Sequence, residues 1–173
     1  MNIRTRLTVL LAGGLLLAGC SSAEQSKKAQ RDADAVCINR HDLKLVIAAS
    51  LGDTPTMQSS LKAGADINIS IEGLSTPIVA AGSSQNPGAV QFLLDNGANI
   101  NATDADGYRA IINAVIANDE NTVQLLISRG ADVKSPARLN INTKEPAVFT
   151  PLSIAKEKRY EKIVKLLTDA GAE

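Results

Sequence analysis

Few side chains in this sequence could do chemistry, and their spacing decides which kind. The one histidine, His41, stands beside Asp42. An imidazole oriented by a carboxylate is part of a nucleophile-activating set, but no serine or cysteine is placed by motif to complete it. The pair reads as surface residues at a helix start. Asp104/Asp106 and Asp119/Glu120 are paired acids on predicted turns, with too few oxygen ligands for a calcium loop. There is no glycine-rich phosphate loop, no Gly-x-Ser-x-Gly elbow, no His-Glu-x-x-His and no clustered Cys/His set. Eighteen basic residues balance eighteen acidic ones, so the basic footprint of a nucleic-acid binder is missing. Aromatics at 2% argue against base-stacking platforms and sugar clefts. The residues therefore predict no enzyme, no metal and no cofactor. What remains is binding.

Cys20 is the exception. Arg4 and Arg6 precede an almost wholly apolar run from Leu7 to Ala18, the charged and apolar regions of a signal peptide, short for a membrane span. The run ends in Leu17-Ala18-Gly19-Cys20, which resembles the lipobox of bacterial lipoproteins. That resemblance implies removal of residues 1–19, diacylglycerol on the Cys20 sulfur and a fatty acyl chain such as palmitate on its new amine. Several chains anchor firmly where one would not. Ser21 and Ser22 follow, and the lack of aspartate there resembles outer-membrane sorting, which implies a domain facing the periplasm. Residues 20–36 are the lipidated cysteine and a polar tether. Cys37 lies in Val36-Cys37-Ile38; in an oxidising compartment it is either buried or paired between molecules, and its apolar flanks favour burial.

A repeat positions everything after the tether. Gly64-Ala65-Asp66-Ile67-Asn68, Gly97-Ala98-Asn99-Ile100-Asn101 and Gly130-Ala131-Asp132-Val133-Lys134 recur 33 residues apart, and Gly171-Ala172-Glu173 follows after 41. Leu43, Thr76, Arg109 and Thr150 stand at a fixed distance before these glycines, and Ala48, Ala81, Ala114 and Ala155 follow them by five. A fixed period in this range marks an array of stacked supersecondary units. Thr76-Pro77 and Thr150-Pro151 supply a cap and a first-turn proline. Val90/Leu93/Leu94 and Val123/Leu126/Ile127 have the spacing of an apolar helical stripe, and the glycines sit where a left-handed stop belongs. Asp42 is a plausible cap for a helix from Leu43, and a second helix runs around Met57 to Lys62. Asn86-Pro87-Gly88 is the turn between helices of the second repeat. Asp104-Ala105-Asp106-Gly107 is a hairpin signal. The repeats fall at about 42–70, 71–103, 104–136 and 145–173 of a domain spanning 37–173. The insertion, 135–148, has the composition of an exposed loop, lying on the binding face or inert.

This pattern resembles the ankyrin repeat from about Asp42 onward. The resemblance implies an all-α solenoid of about four helix pairs with β-hairpin-like loops, and a protein partner rather than nucleic acid. Contacts in that family fall on the finger loops and near the end of each first helix. Here those positions are Glu72, Ser75, Ser83 and Ser84 in the second repeat, then Ala105, Asp106, Tyr108, Ile116 and Ala117 in the third. In the fourth they are Ala147, Phe149, Glu157 and Lys158. Tyr108 and Phe149 hold the same finger position; they either anchor a partner side by side or each cover the neighbouring hairpin. Phe92 and Tyr160 sit on second helices, in the core and on the outer surface. Small lipoproteins with few such repeats resemble the immunity proteins of type VI secretion phospholipase toxins. That likeness implies an inhibitor tethered at the outer membrane. The alternative is an envelope scaffold or an assembly partner in oxidative-stress defence.

Overall fold

The computed structural model describes residues 39–71, 74–139 and 147–172. The leader, Cys20, the tether, Cys37, Glu72 and residues 140–146 of the insertion lie outside the described residues. Within them, eight helices form four pairs: α1 (Arg40–Leu51) with α2 (Thr54–Lys62), α3 (Pro77–Ala81) with α4 (Pro87–Asp95), α5 (Ala110–Ile116) with α6 (Glu120–Ser128), and α7 (Pro151–Glu157) with α8 (Glu161–Asp169). A short antiparallel ribbon, β1 (Ala137–Leu139) and β2 (Ala147–Phe149), precedes the last pair. First helices α3, α5 and α7 pack in file, and so do second helices α2, α4, α6 and α8.

Each pair is punctuated by the same local chemistry. Second helices begin at a capping side chain on the repeat period: Asp53, Asn86 and Asp119 accept from the N–H of Thr56, Gly88 and Thr122, each at 3.1 Å. The backbone then turns twice per repeat through left-handed conformations. One turn is at Gly64, Gly97, Gly130 and Gly171; the other is at Gly52, Gln85, Asn118 and Arg159. The first set is glycine throughout, because a Cβ there is strained. In the second set three L-residues bear that strain.

The four repeated alanines are buried, at 2% exposure or less. Ile78, Val79, Val90, Leu93, Ile111, Ile112, Val115 and Leu126 are buried with them, as are Ile163 and Leu167. No helix pair could bury this surface alone; stacked neighbours do. Polar side chains stitch the stack. Asn68 Oδ1 accepts from Asn99 N–H at 2.8 Å, and Asn101 Oδ1 from Asp132 N–H at 2.9 Å. Asn86 Nδ2 donates to the Gly52 carbonyl and Asn113 Nδ2 to that of Val79, both at 2.9 Å.

Several local expectations are corrected. Asp42 does not cap α1, which starts at Arg40; it is buried in the first turn, and its carboxylate accepts from Asp66 N–H at 2.8 Å. The second helix starts at Thr54 rather than near Met57, because Asp53 caps it and Pro55 fits its first turn. Thr150 caps α7 in a reciprocal box with Ser153, yet Thr76, with the same Thr-Pro pair, makes no capping bond. Tyr160 precedes α8 and, like Phe92, is half-buried against the core rather than lying on the outer surface. The insertion is more than a loop at its base. Ala137 pairs with Phe149 and Leu139 with Ala147, so the two described ends of the insertion pair as a short ribbon.

Candidate protein-binding surface

The surface begins with the ends of the first helices and the fingers before them. In the third finger, Asp104 Oδ1 accepts from the N–H of Tyr108 at 2.8 Å and of Asp106 at 3.1 Å. Thr103 bridges Arg109, closing the turn. Asp104 Oδ2 accepts from Ser75 Oγ of the second finger at 3.4 Å, so one carboxylate both shapes its own finger and leans on its neighbour. At the base of the fourth finger, Arg109 donates from Nη1 to the Ser135 carbonyl at 2.9 Å. Asp132 accepts from Ser135 N–H at 3.0 Å. Hydrogen bonds from Ser135 and Lys134 and the positive charge of Arg109 hold its carboxyl below the usual carboxylate range, against a smaller opposing effect of burial.

These elements enclose a shallow groove of about 260 Å³. Its helix side is Val46, Ile47 and Ser50 of α1, Ala80 of α3 with Ser83 just beyond it, and Asn113 of α5; its finger side is Leu74, Ser75 and Asp104. Three successive repeats thus contribute to one depression. Ile47 is 46% exposed and Leu74 50% exposed at its edge. Ile116, on the face of α5 that carries Asn113, is 44% exposed, and Leu51 at the end of α1 is 74% exposed. Four large aliphatic side chains are left open, two of them lining the groove, which makes this side the candidate contact surface.

The positions expected from the sequence divide on this surface. Ser75 and Ser83 line the groove; Ile116 lies on the same side of α5. Ser84 is half-buried and donates to the Ala81 carbonyl. Asp106 is exposed at the third fingertip, and Glu157 and Lys158 are exposed at the end of α7. Tyr108 and Phe149 are both half-buried and pack against the core, so their rings serve the fingers before they serve a partner. Sequence reasoning missed Ile47, Leu51 and Leu74. A signal was available for Ile47: it shares its repeat position with Ala80 and Asn113, so it faces the same side as they do.

A family model for ankyrin repeats, three copies long, matches residues 45–137, more than half of the 173 residues. The chain belongs to the ankyrin-repeat family. Its array is a protein-interaction module, and the groove lies on the side where first helices and fingers of an ankyrin array face a partner. The match stops at Ala137, where the ribbon begins. The last ankyrin pair is identified by geometry instead: the extended backbone at Thr150 before α7, buried Ala155, and left-handed Arg159 and Gly171 all recur in phase. No curated protein matches the chain. Among the described residues, no three His, Cys, Asp or Glu side chains come together as a metal site requires, and no helix is long and apolar enough to cross a membrane.

Proposed function

We propose that this ankyrin-repeat chain is a lipid-anchored periplasmic inhibitor that grips a phospholipase toxin and blocks its active site or its access to lipid. The observation that carries the reading is the groove, where three repeats leave aliphatic side chains open to a partner instead of closing over them. The sequence Leu17-Ala18-Gly19-Cys20 supports an anchor at the outer membrane, facing the periplasm. Tethering would hold the inhibitor on the surface where a lipid-degrading enzyme must work. Acylated chains on Cys20 supply the hold, and the polar tether supplies reach.

The test is direct. The purified protein is mixed with any phospholipase toxin found encoded beside it, and complex formation and lipid hydrolysis are measured together. A one-to-one complex that suppresses hydrolysis supports the proposal. Undiminished hydrolysis with no complex refutes it. In cells, Cys20→Ala should leave the complex intact in solution while lowering protection against the toxin in the periplasm.

A further inference from the structure

The chemistry of the groove narrows what its partner must present, on the reading that the array grips another protein. Its hydroxyl hydrogens are engaged within the chain. Ser50 Oγ donates to the Ile47 carbonyl at 2.8 Å and Ser83 Oγ to that of Ala80 at 2.9 Å. Ser75 Oγ donates to Asp104 Oδ2. What these groups turn to an incoming partner is oxygen lone pairs. Among the described residues, Asp104 is the one charged side chain lining the groove. A depression rich in acceptors, with a single half-buried negative charge, selects a group that brings donors and a positive charge.

Size and edge sharpen this. About 260 Å³ falls below the roughly 300–1,000 Å³ of pockets for drug-sized ligands, and suits one long side chain. Ile47 and Leu74, each about half exposed, flank the entrance as an alkyl stem would require, since Lys and Arg lay their methylenes on apolar surface while the head stays polar. We propose that the groove receives one lysine or arginine side chain from the partner, its cationic head on Asp104 and its stem against Ile47 and Leu74.

The test uses the ¹⁵N-labelled full-length protein in detergent, titrated with n-butylammonium, n-butylguanidinium, n-butanol and butyrate. Saturable amide shifts at Ser75, Ser83, Asp104 and Tyr108 are expected with the two cations, and the stronger of them tells lysine from arginine. Losing a charge-assisted partner weakens binding about ten-fold, the loss expected for Asp104→Asn, which keeps an oxygen for the finger N–H groups. Leu74→Ser, at an exposed position, should weaken the cations without changing the fold. Equal shifts with n-butanol, or wild-type affinity in Asp104→Asn, would overturn the proposal. So would groove shifts that grow with protein concentration alone, which would seat a second copy there. The two readings fail separately. A toxin captured equally by wild type, Asp104→Asn and Leu74→Ser ends this inference and leaves the inhibitor standing; cation binding without toxin capture does the reverse.

Discussion

Gly82 offers the sharpest check on how the array is packed. It follows α3 with an ordinary right-handed backbone, φ −57° and ψ −26°, so alanine there meets no conformational barrier. By propensity alone Gly→Ala would stabilise by up to about 1 kcal/mol in a helix interior, less at this terminal position. Packing points the other way. A Cβ on Gly82 would stand 2.5 Å from the Ala110 carbonyl oxygen and 2.9 Å from its Cα, closer than real contacts allow. The obstacle is the backbone at the start of α5, which cannot swing aside as a side chain would. Relief requires the second and third repeats to separate by about half an ångström, and overpacking of this kind costs roughly 1–3 kcal/mol. The net expectation for Gly82→Ala is a loss of about 1–2 kcal/mol, read as a fall of about 0.5–1 M in the urea midpoint. Because the strain falls between repeats, the transition should also broaden as the halves uncouple. Gly88→Ala is the control: its Cβ meets only the side-chain oxygen of Asn86, at 3.2 Å, so its midpoint should fall by less than that of Gly82→Ala. A midpoint unchanged or raised in Gly82→Ala would refute the close approach of α3 to α5.

The two Thr-Pro pairs should respond oppositely to Thr→Val in thermal unfolding. Thr150→Val loses a cap worth about 1 kcal/mol, whereas Thr76 Oγ1 is buried without a partner among the described residues, so Thr76→Val should stabilise by about 1 kcal/mol. Asn101→Ala leaves the Asp132 N–H without its acceptor and should cost about 1 kcal/mol by urea titration, with the fourth repeat loosening first in hydrogen exchange. Asp132 is held below its ordinary value of 3.8 in the folded state. Its contribution is therefore present above that value and lost as pH falls through the lower folded one. Amide shifts of Lys134 and Ser135 should move in that acid window, and the movement should vanish in Asp132→Asn. Ile47→Ser with Leu74→Ser should change stability by less than about 0.5 kcal/mol while reducing partner capture; full retention of capture would remove the groove from the interface.

The sequence alone determined the period, the helix pairs, the buried alanines and the glycine stops. Each of these follows from residue type at fixed spacing: a missing Cβ at Gly64 and Gly97, a ring-fixed φ at Pro77 and Pro151, small Ala81 and Ala114 between helices. Tertiary structure decided the rest, because it depends on what lies opposite. Asp42 reads as a helix cap, but its carboxylate reaches Asp66, a residue brought near by folding. Tyr108 and Phe149 read in sequence either as partner anchors or as covers of the neighbouring hairpin, and folding packs both rings in part against the core. Ile47 and Leu74 read as ordinary apolar residues, and only stacking left them uncovered. Local spacing fixes what each segment can become; the exposure of a given side chain is a property of the neighbours that fail to cover it.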